Sequence, residues 1–253
     1  MRLVPWAVFV SLALSSGSRA ETIQLGADTW CPFNCDVDAR PKGYVIEIAE
    51  YALGKAGHKV DYTTMSWSRA VKEVVIGNLH GAVAAGDVDV KDNSLIVGKE
   101  TVGISMNCAY AKAGSKAKYK NSEDLLAYKK VALVQDYFYG DKIAALQKAD
   151  PAKFEVITGE DPIWRNVVKL KSGRVDLVLE DEAVMAYILQ THNEKGVVKI
   201  GCEPHKINLF LAFSPKNPKS KDYAAAVDAG VMELRKTGKL KSILDKYGLK
   251  DWK

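Results

Sequence analysis

The sequence predicts an α/β protein of two lobes. Each lobe is a mostly parallel sheet flanked by helices, and lobe two is inserted in lobe one. Three observations predict this architecture. Strands and helices alternate along most of the chain, the pattern of parallel-sheet proteins. A helix that stops at Gly before a short apolar strand occurs twice, weakly at 75–85 and strongly over Leu170–Asp181. Last, the apolar strand Leu209–Ser214 is followed by two helices and no further strand, so the chain returns to its first sheet after completing a second series.

Residues 1–20 read as an export signal. Arg2 supplies charge, Leu3–Leu14 is apolar, and Ser18 and Ala20 are the small residues preceding a cut between Ala20 and Glu21. The run is too short to span a bilayer, and the nearest Cys is too far from the cut for a lipid anchor. The remaining chain suits one large α/β domain or two lobes of ordinary size. A net charge of +5 over the whole sequence is too mild to argue for nucleic acid.

Ile23–Ala27 alternates apolar and polar residues and predicts a strand. Tyr44–Leu53 places Val45, Ile48, Ala49 and Ala52 on one helical stripe, ended by Gly54 and Gly57. Val60–Thr64 is β-rich, Ser66–Ile76 carries the stripe Ala70, Val71, Val74 and Val75, and Ala82–Ala85 is a short strand. Ile104–Ala111 reads as one further strand. A second series follows: strand Val131–Val134, helix Asp141–Gln147, strand Phe154–Ile157, then helix Pro162–Lys171 capped by Asp161. Strand Val175–Leu179, helix Glu182–Gln190 and strand Val197–Ile200 complete it. The returning strand leads to helices Lys221–Lys236 and Leu240–Tyr247. Lobe one is therefore expected over 21–108 and 210–253, and lobe two over 109–209. Hinge segments are expected near Cys108–Lys112 and Ile207–Phe213.

Strand Val175–Leu179 delivers Glu180 and Asp181 to its carboxyl end, where open α/β sheets bind ligands. Asp181 there meets a solute or caps the helix at Glu182, or does both. Trp67, at a helix start, is core or cleft. Arg69 is read first as a structural ion pair and second as a ligand contact. Tyr137 and Tyr139 alternate around Phe138, so one faces the core and the other the cleft. Asp89 reads as part of a solvated turn. Among the four cysteines, Cys31 and Cys35 flank three residues and are expected to form a local disulfide in an oxidising compartment. Cys108 and Cys202 pair if the fold brings their Cα atoms within about 7 Å. The cysteines and histidines show no zinc spacing, so neither metal nor cofactor is expected.

The ordered set Asp28–Phe33, Gly43–Ile48, Trp67–Ala70, Asp124-Leu125 before Val131–Val134, Ser172–Asp176, Asp181, and the ending Leu234–Leu240 with Ile243, Lys246 and Tyr247 resembles a known family. It is that of the family 3 extracellular solute-binding proteins of bacterial ABC transporters, with a type II periplasmic-binding-protein fold. The resemblance implies a monomeric periplasmic protein whose lobes close on a small-molecule ligand and hand it to an inner-membrane permease. It implies cleft roles for Asp28, Trp30 and Trp67 from lobe one. From lobe two it implies Asp181 against a ligand ammonium and the Tyr137–Tyr139 loop against the ligand.

The chain departs from the family where amino-acid binders usually carry an Arg that grips the α-carboxylate in bidentate fashion. Residues 86–93 hold no Arg, and Lys91 cannot form that planar fork. Asp28, Asp87, Asp89 and Asp181, if they converge, suit an amine-bearing ligand. The expected function is delivery of an amino-acid-like or amine-bearing solute without catalysis. The alternatives are a periplasmic dehydratase or lyase using Glu180 or Asp181 as acid or base, or a soluble ligand-binding partner of a membrane sensor.

Overall fold

The computed structural model describes residues 20–253, so the export signal expected at 1–20 lies outside the described residues save for Ala20. Lobe one opens with β1 (Thr22–Ala27), α1 (Tyr44–Lys55), β2 (Lys59–Thr64), α2 (Trp67–Ile76), β3 (Gly81–Gly86), α3 (Asp87–Asp92) and β4 (Gly103–Ser105). Lobe two holds β5 (Asn107–Lys112), β6 (Val131–Val134), α4 (Asp141–Ala149), β7 (Phe154–Ile157), α5 (Pro162–Lys171), β8 (Leu177–Asp181), α6 (Glu182–Thr191) and β9 (Val197–Cys202). The chain then returns through β10 (Ile207–Phe213), α7 (Ser220–Lys236) and α8 (Lys239–Asp245).

The two sheets share one plan. Their strand orders are β2-β1-β3-β10-β4 and β7-β6-β8-β5-β9. In each, the first three strands are parallel and the last two pairings are antiparallel. The sheets are thus mixed rather than mostly parallel. The cause is the crossing: β10 and β5 arrive from the opposite lobe and enter beside β3 and β8 in the reverse direction.

The apolar run 104–111 is two strands, not one. It leaves the first sheet at Ser105 and joins the second at Asn107, with Met106 as the crossing residue. The return crossing is 203–206. The crossings lie next to Cys108–Lys112 and Ile207–Phe213, near which the hinges are expected, and those segments themselves form parts of β5 and β10. Cys108 and Cys202 are paired across β5 and β9 and bonded to each other, next to both crossings. Asp161 occupies the N-cap position of α5, but its backbone is left-handed (φ 45°) and its side chain makes no cap hydrogen bond, so it does not cap as expected.

Packing in lobe one rests on α1 and α7. Ile48 and Leu53 of α1 and Val227, Val231 and Leu234 of α7 are buried, each worth about 1.5–3 kcal/mol. The helices approach so closely that a Cβ on Gly230 would sit 2.3 Å from the Cβ of Ala52. Among the described residues, no helix is long and apolar enough to cross a membrane.

Candidate functional site

A cavity of about 70 Å³ lies between the lobes, beside the crossing at Met106. Lobe one contributes Asp28, Trp30, Asn34, Trp67 and Asp89, and lobe two contributes Asn107, Tyr137, Phe138 and Glu180.

The lobe-one wall is built by the loop between β1 and α1. The Asn34 and Phe33 N–H groups donate to the Trp30 carbonyl, and Cys31 is bonded to Cys35. The Asn34 amide donates to the Asp28 carbonyl at 2.7 Å. Gly43 closes this loop onto α1 with φ 104°, and a Cβ there would meet the Phe33 carbonyl oxygen at 2.6 Å. Both the conformation and the space require glycine. The Trp30 ring stacks on Phe33 with centroids 4.4 Å apart. Trp67 opens α2 and donates through Nε1 to Asp89 Oδ1 at 3.3 Å, while Asp89 Oδ2 accepts the Gly86 N–H at 3.1 Å. Ala84, also in the lining, holds a left-handed φ of 58° inside β3, near the place where the pairing with β10 slips register. Such strain is confined to sites where the surroundings enforce it.

The lobe-two wall comes from the end of β8 and the loop after β6. Two hydrogen bonds join the walls. Trp30 Nε1 donates to Glu180 Oε1 at 3.1 Å, and the Tyr137 hydroxyl donates to Asp28 Oδ2. Burial raises Glu180 to about 8, with Trp30 and the Asp181 N–H opposing part of the rise. Burial likewise raises Asp28 to about 6 against the Tyr137 hydroxyl, and raises Asp89 as well. Three carboxylates therefore share the cavity, and none of its lining residues is Lys, Arg or His.

The structure brings Asp28, Trp30, Trp67 and Tyr137 together in this lining. It does not bring the other candidates. Arg69 points to solvent, with its side chain 68% exposed and Glu73 at 3.9 Å. Asp87 sits beside the cavity and accepts the Asn208 N–H at 2.9 Å. Tyr139 is buried in lobe two, where its hydroxyl accepts the Val134 N–H at 2.9 Å. Asp181 is also outside the lining. Its Oδ1 accepts the Ala183 and Val184 N–H groups at the start of α6, and its Oδ2 accepts the Met106 N–H at 2.9 Å. Both its oxygens are engaged by a helix start and the crossing.

Asn34 is a lining residue that the sequence does not single out; Asp89 is read there as a solvated turn or one of four converging acids, and Glu180 as one of two acids at the strand end. Strand alternation puts Glu180 and Asp181 on opposite faces, a signal sufficient to separate them but not to say which face meets the cleft. Cys108, Glu182 and Cys202 form a cluster of possible metal ligands, but both sulfurs are committed to the disulfide.

Two lobes with matching mixed sheets, linked by two crossings and enclosing a cavity between them, define the type II periplasmic-binding-protein-like fold. The chain belongs to the bacterial extracellular solute-binding proteins, family 3, whose model matches residues 23–250. No curated protein matches the chain by sequence. Among solved structures it is similar to a histidine kinase sensor domain related to periplasmic binding proteins, at 20% identity and TM-score 0.74 over 90% of this chain and 96% of that one. It is also similar to an ancestral arginine-binding protein bound to arginine, at 21% identity and TM-score 0.71, covering 89% and 97%. A third is an amino acid ABC transporter substrate-binding protein from Streptococcus pneumoniae bound to L-arginine, at 18% identity and TM-score 0.71, covering 89% and 94%. At these identities the likeness speaks for the fold. Membership of that family makes this chain a solute-binding protein.

Proposed function

We propose that the protein binds a small cationic, amine-bearing solute between its lobes in the periplasm and delivers it to an ABC importer without chemical turnover. The observation that carries the ligand class is the cavity's charge: Asp28, Asp89 and Glu180 face it with no basic residue in the lining. Burying carboxylates without a counter-charge is costly, and the raised values of all three express that cost. A ligand cation supplies the missing charge, and the faces of Trp30, Trp67 and Tyr137 suit it as well, at about 0.5–2 kcal/mol per cation–π contact. The corner after β3 carries Asp87, already bonded to Asn208, so it offers an α-carboxylate no guanidinium. Delivery to a permease is supported by family membership and by the transporter role in the name of one fold neighbour.

Thermal unfolding of the mature protein in panels of amines, amino acids, organic acids and sugars tests the reading. A bound amine at 100 times its dissociation constant raises stability by about 2.7 kcal/mol. Stabilisation by acids or sugars, with no amine active, would overturn it.

A further inference from the structure

We infer that the solute presents N–H groups on its cationic nitrogen, as a primary ammonium or a guanidinium does, and that Asn34 and Glu180 together hold that nitrogen. The inference rests on the cation reading given above and narrows it.

Among the described residues, two fully buried side-chain oxygens of the cavity lining have no hydrogen-bond partner: Asn34 Oδ1 and Glu180 Oε2. Both residues are only 1% exposed. Their remaining polar atoms are committed. Asn34 Nδ2 donates to the Asp28 carbonyl, so reversing the amide would break that bond. Glu180 Oε1 accepts from Trp30 Nε1 and from the Asp181 N–H. Native interiors seldom leave such atoms unmet, and the ionised form of Glu180, which a cation favours, is the most costly to leave so. Asn34 belongs to lobe one and Glu180 to lobe two, so the cavity where the lobes meet is the place that presents both.

The aromatic walls taken alone would accept a trimethylammonium group as readily as an ammonium. The unmet acceptors distinguish the two. A quaternary nitrogen has no N–H and leaves both oxygens unpaired. A hydroxyl gives one proton and no charge. An ammonium offers three donors and a guanidinium five, enough for one atom to serve Asn34 Oδ1 and Glu180 Oε2 at once.

The test is calorimetric titration of the mature protein with primary amines of graded chain length, each against its N,N,N-trimethyl counterpart, for example ethanolamine against choline. The primary amine is expected to bind roughly tenfold to a hundredfold more tightly than its counterpart. Glu180→Gln, which keeps the side chain's shape, is expected to weaken the primary amine more than the quaternary one and so narrow that ratio. Asn34→Leu should narrow it too, with thermal unfolding checking that the loop survives. Trimethylammonium compounds binding as tightly as the primary amines would overturn the inference while leaving a cation site in place. Binding of neutral or anionic solutes with no cation active would overturn the cation reading itself.

Discussion

The corners β3–α3 and β8–α6 occupy equivalent places in the two sheets, and both carry acidic runs, yet they use them in opposite order. In lobe two the carboxylate facing the cavity, Glu180, is on the strand, and the next residue, Asp181, is spent on backbone N–H groups of α6 and of Met106. In lobe one Asp87 comes first and is spent on the N–H of Asn208 in β10. The cavity-facing carboxylate, Asp89, follows from inside the helix. Each corner thus holds one acid that ties it to a crossing strand or segment and one that meets the ligand space. Topology brings acids to the cleft; the backbone donors of the crossings decide which of them is drawn away from the cavity.

Removing the tying acid of lobe two should have the largest effect. Asp181→Ala leaves three backbone donors without their acceptor and should cost about 2–4 kcal/mol, from a helix cap plus a charged hydrogen bond. Denaturant unfolding of wild type and variant checks it, and a loss below ~1 kcal/mol would mean that Asp181 does not brace the crossing.

The free acid of the same corner should act in the opposite sense. Glu180 has its pKa raised from 4.5 to about 8 by burial. Between those values the folded protein holds a proton that the unfolded chain has released, so stability falls as pH rises through that window. Thermal melts from pH 5 to pH 9 should show the decline, and Glu180→Gln should flatten it. A cation entering the cavity favours the ionised forms of Glu180 and Asp28, so binding should release protons near neutral pH. Calorimetry in buffers of different ionisation enthalpy measures that release.

A smaller loss is expected for Asp87→Ala, the tying acid of lobe one, because it holds a single backbone donor at the surface. Its cost should be about 0.5–1.5 kcal/mol. A cost equal to that of Asp181→Ala would show that the two ties are equivalent after all. Arg69→Ala should change stability by less than ~0.5 kcal/mol and leave amine affinity unaltered, since its pairing with Glu73 is long and solvent-exposed.

Much of the fold is legible locally. Strands 131–134 and 154–157 and helix 162–171 follow from apolar runs and Gly or Pro boundaries alone, and the return of the chain to lobe one follows from the late strand with two helices behind it. What escapes is what depends on the other lobe. The run 104–111 is mostly apolar, interrupted only by Ser105 and Asn107, and the presence of two sheets splits it between them at Met106. Helix α3 is hidden because Asp87, Val88, Asp89 and Val90 alternate like a strand or turn. The site is half legible for the same reason: Asp28, Trp30 and Trp67 follow from the family resemblance, and Tyr137 from its place in the loop after β6. Choosing Glu180 over Asp181, or Asp89 over Asp87, requires knowing where Met106 and Asn208 pass.

The neighbouring carboxylates at the end of β8 also set the length of the path from ligand to pivot. Glu180 lines the cavity and Asp181 grips Met106, the residue where the chain changes lobe. A single peptide unit separates the two, and its N–H is itself bonded to Glu180 Oε1. Any torsion or charge change at Glu180 is therefore applied directly to the atom group that anchors the crossing, with no chain of packed side chains to transmit it. Were the lobes to rotate about the crossings on ligand entry, recognition and rotation would share one short lever, and mutations in the distant core should leave their coupling intact.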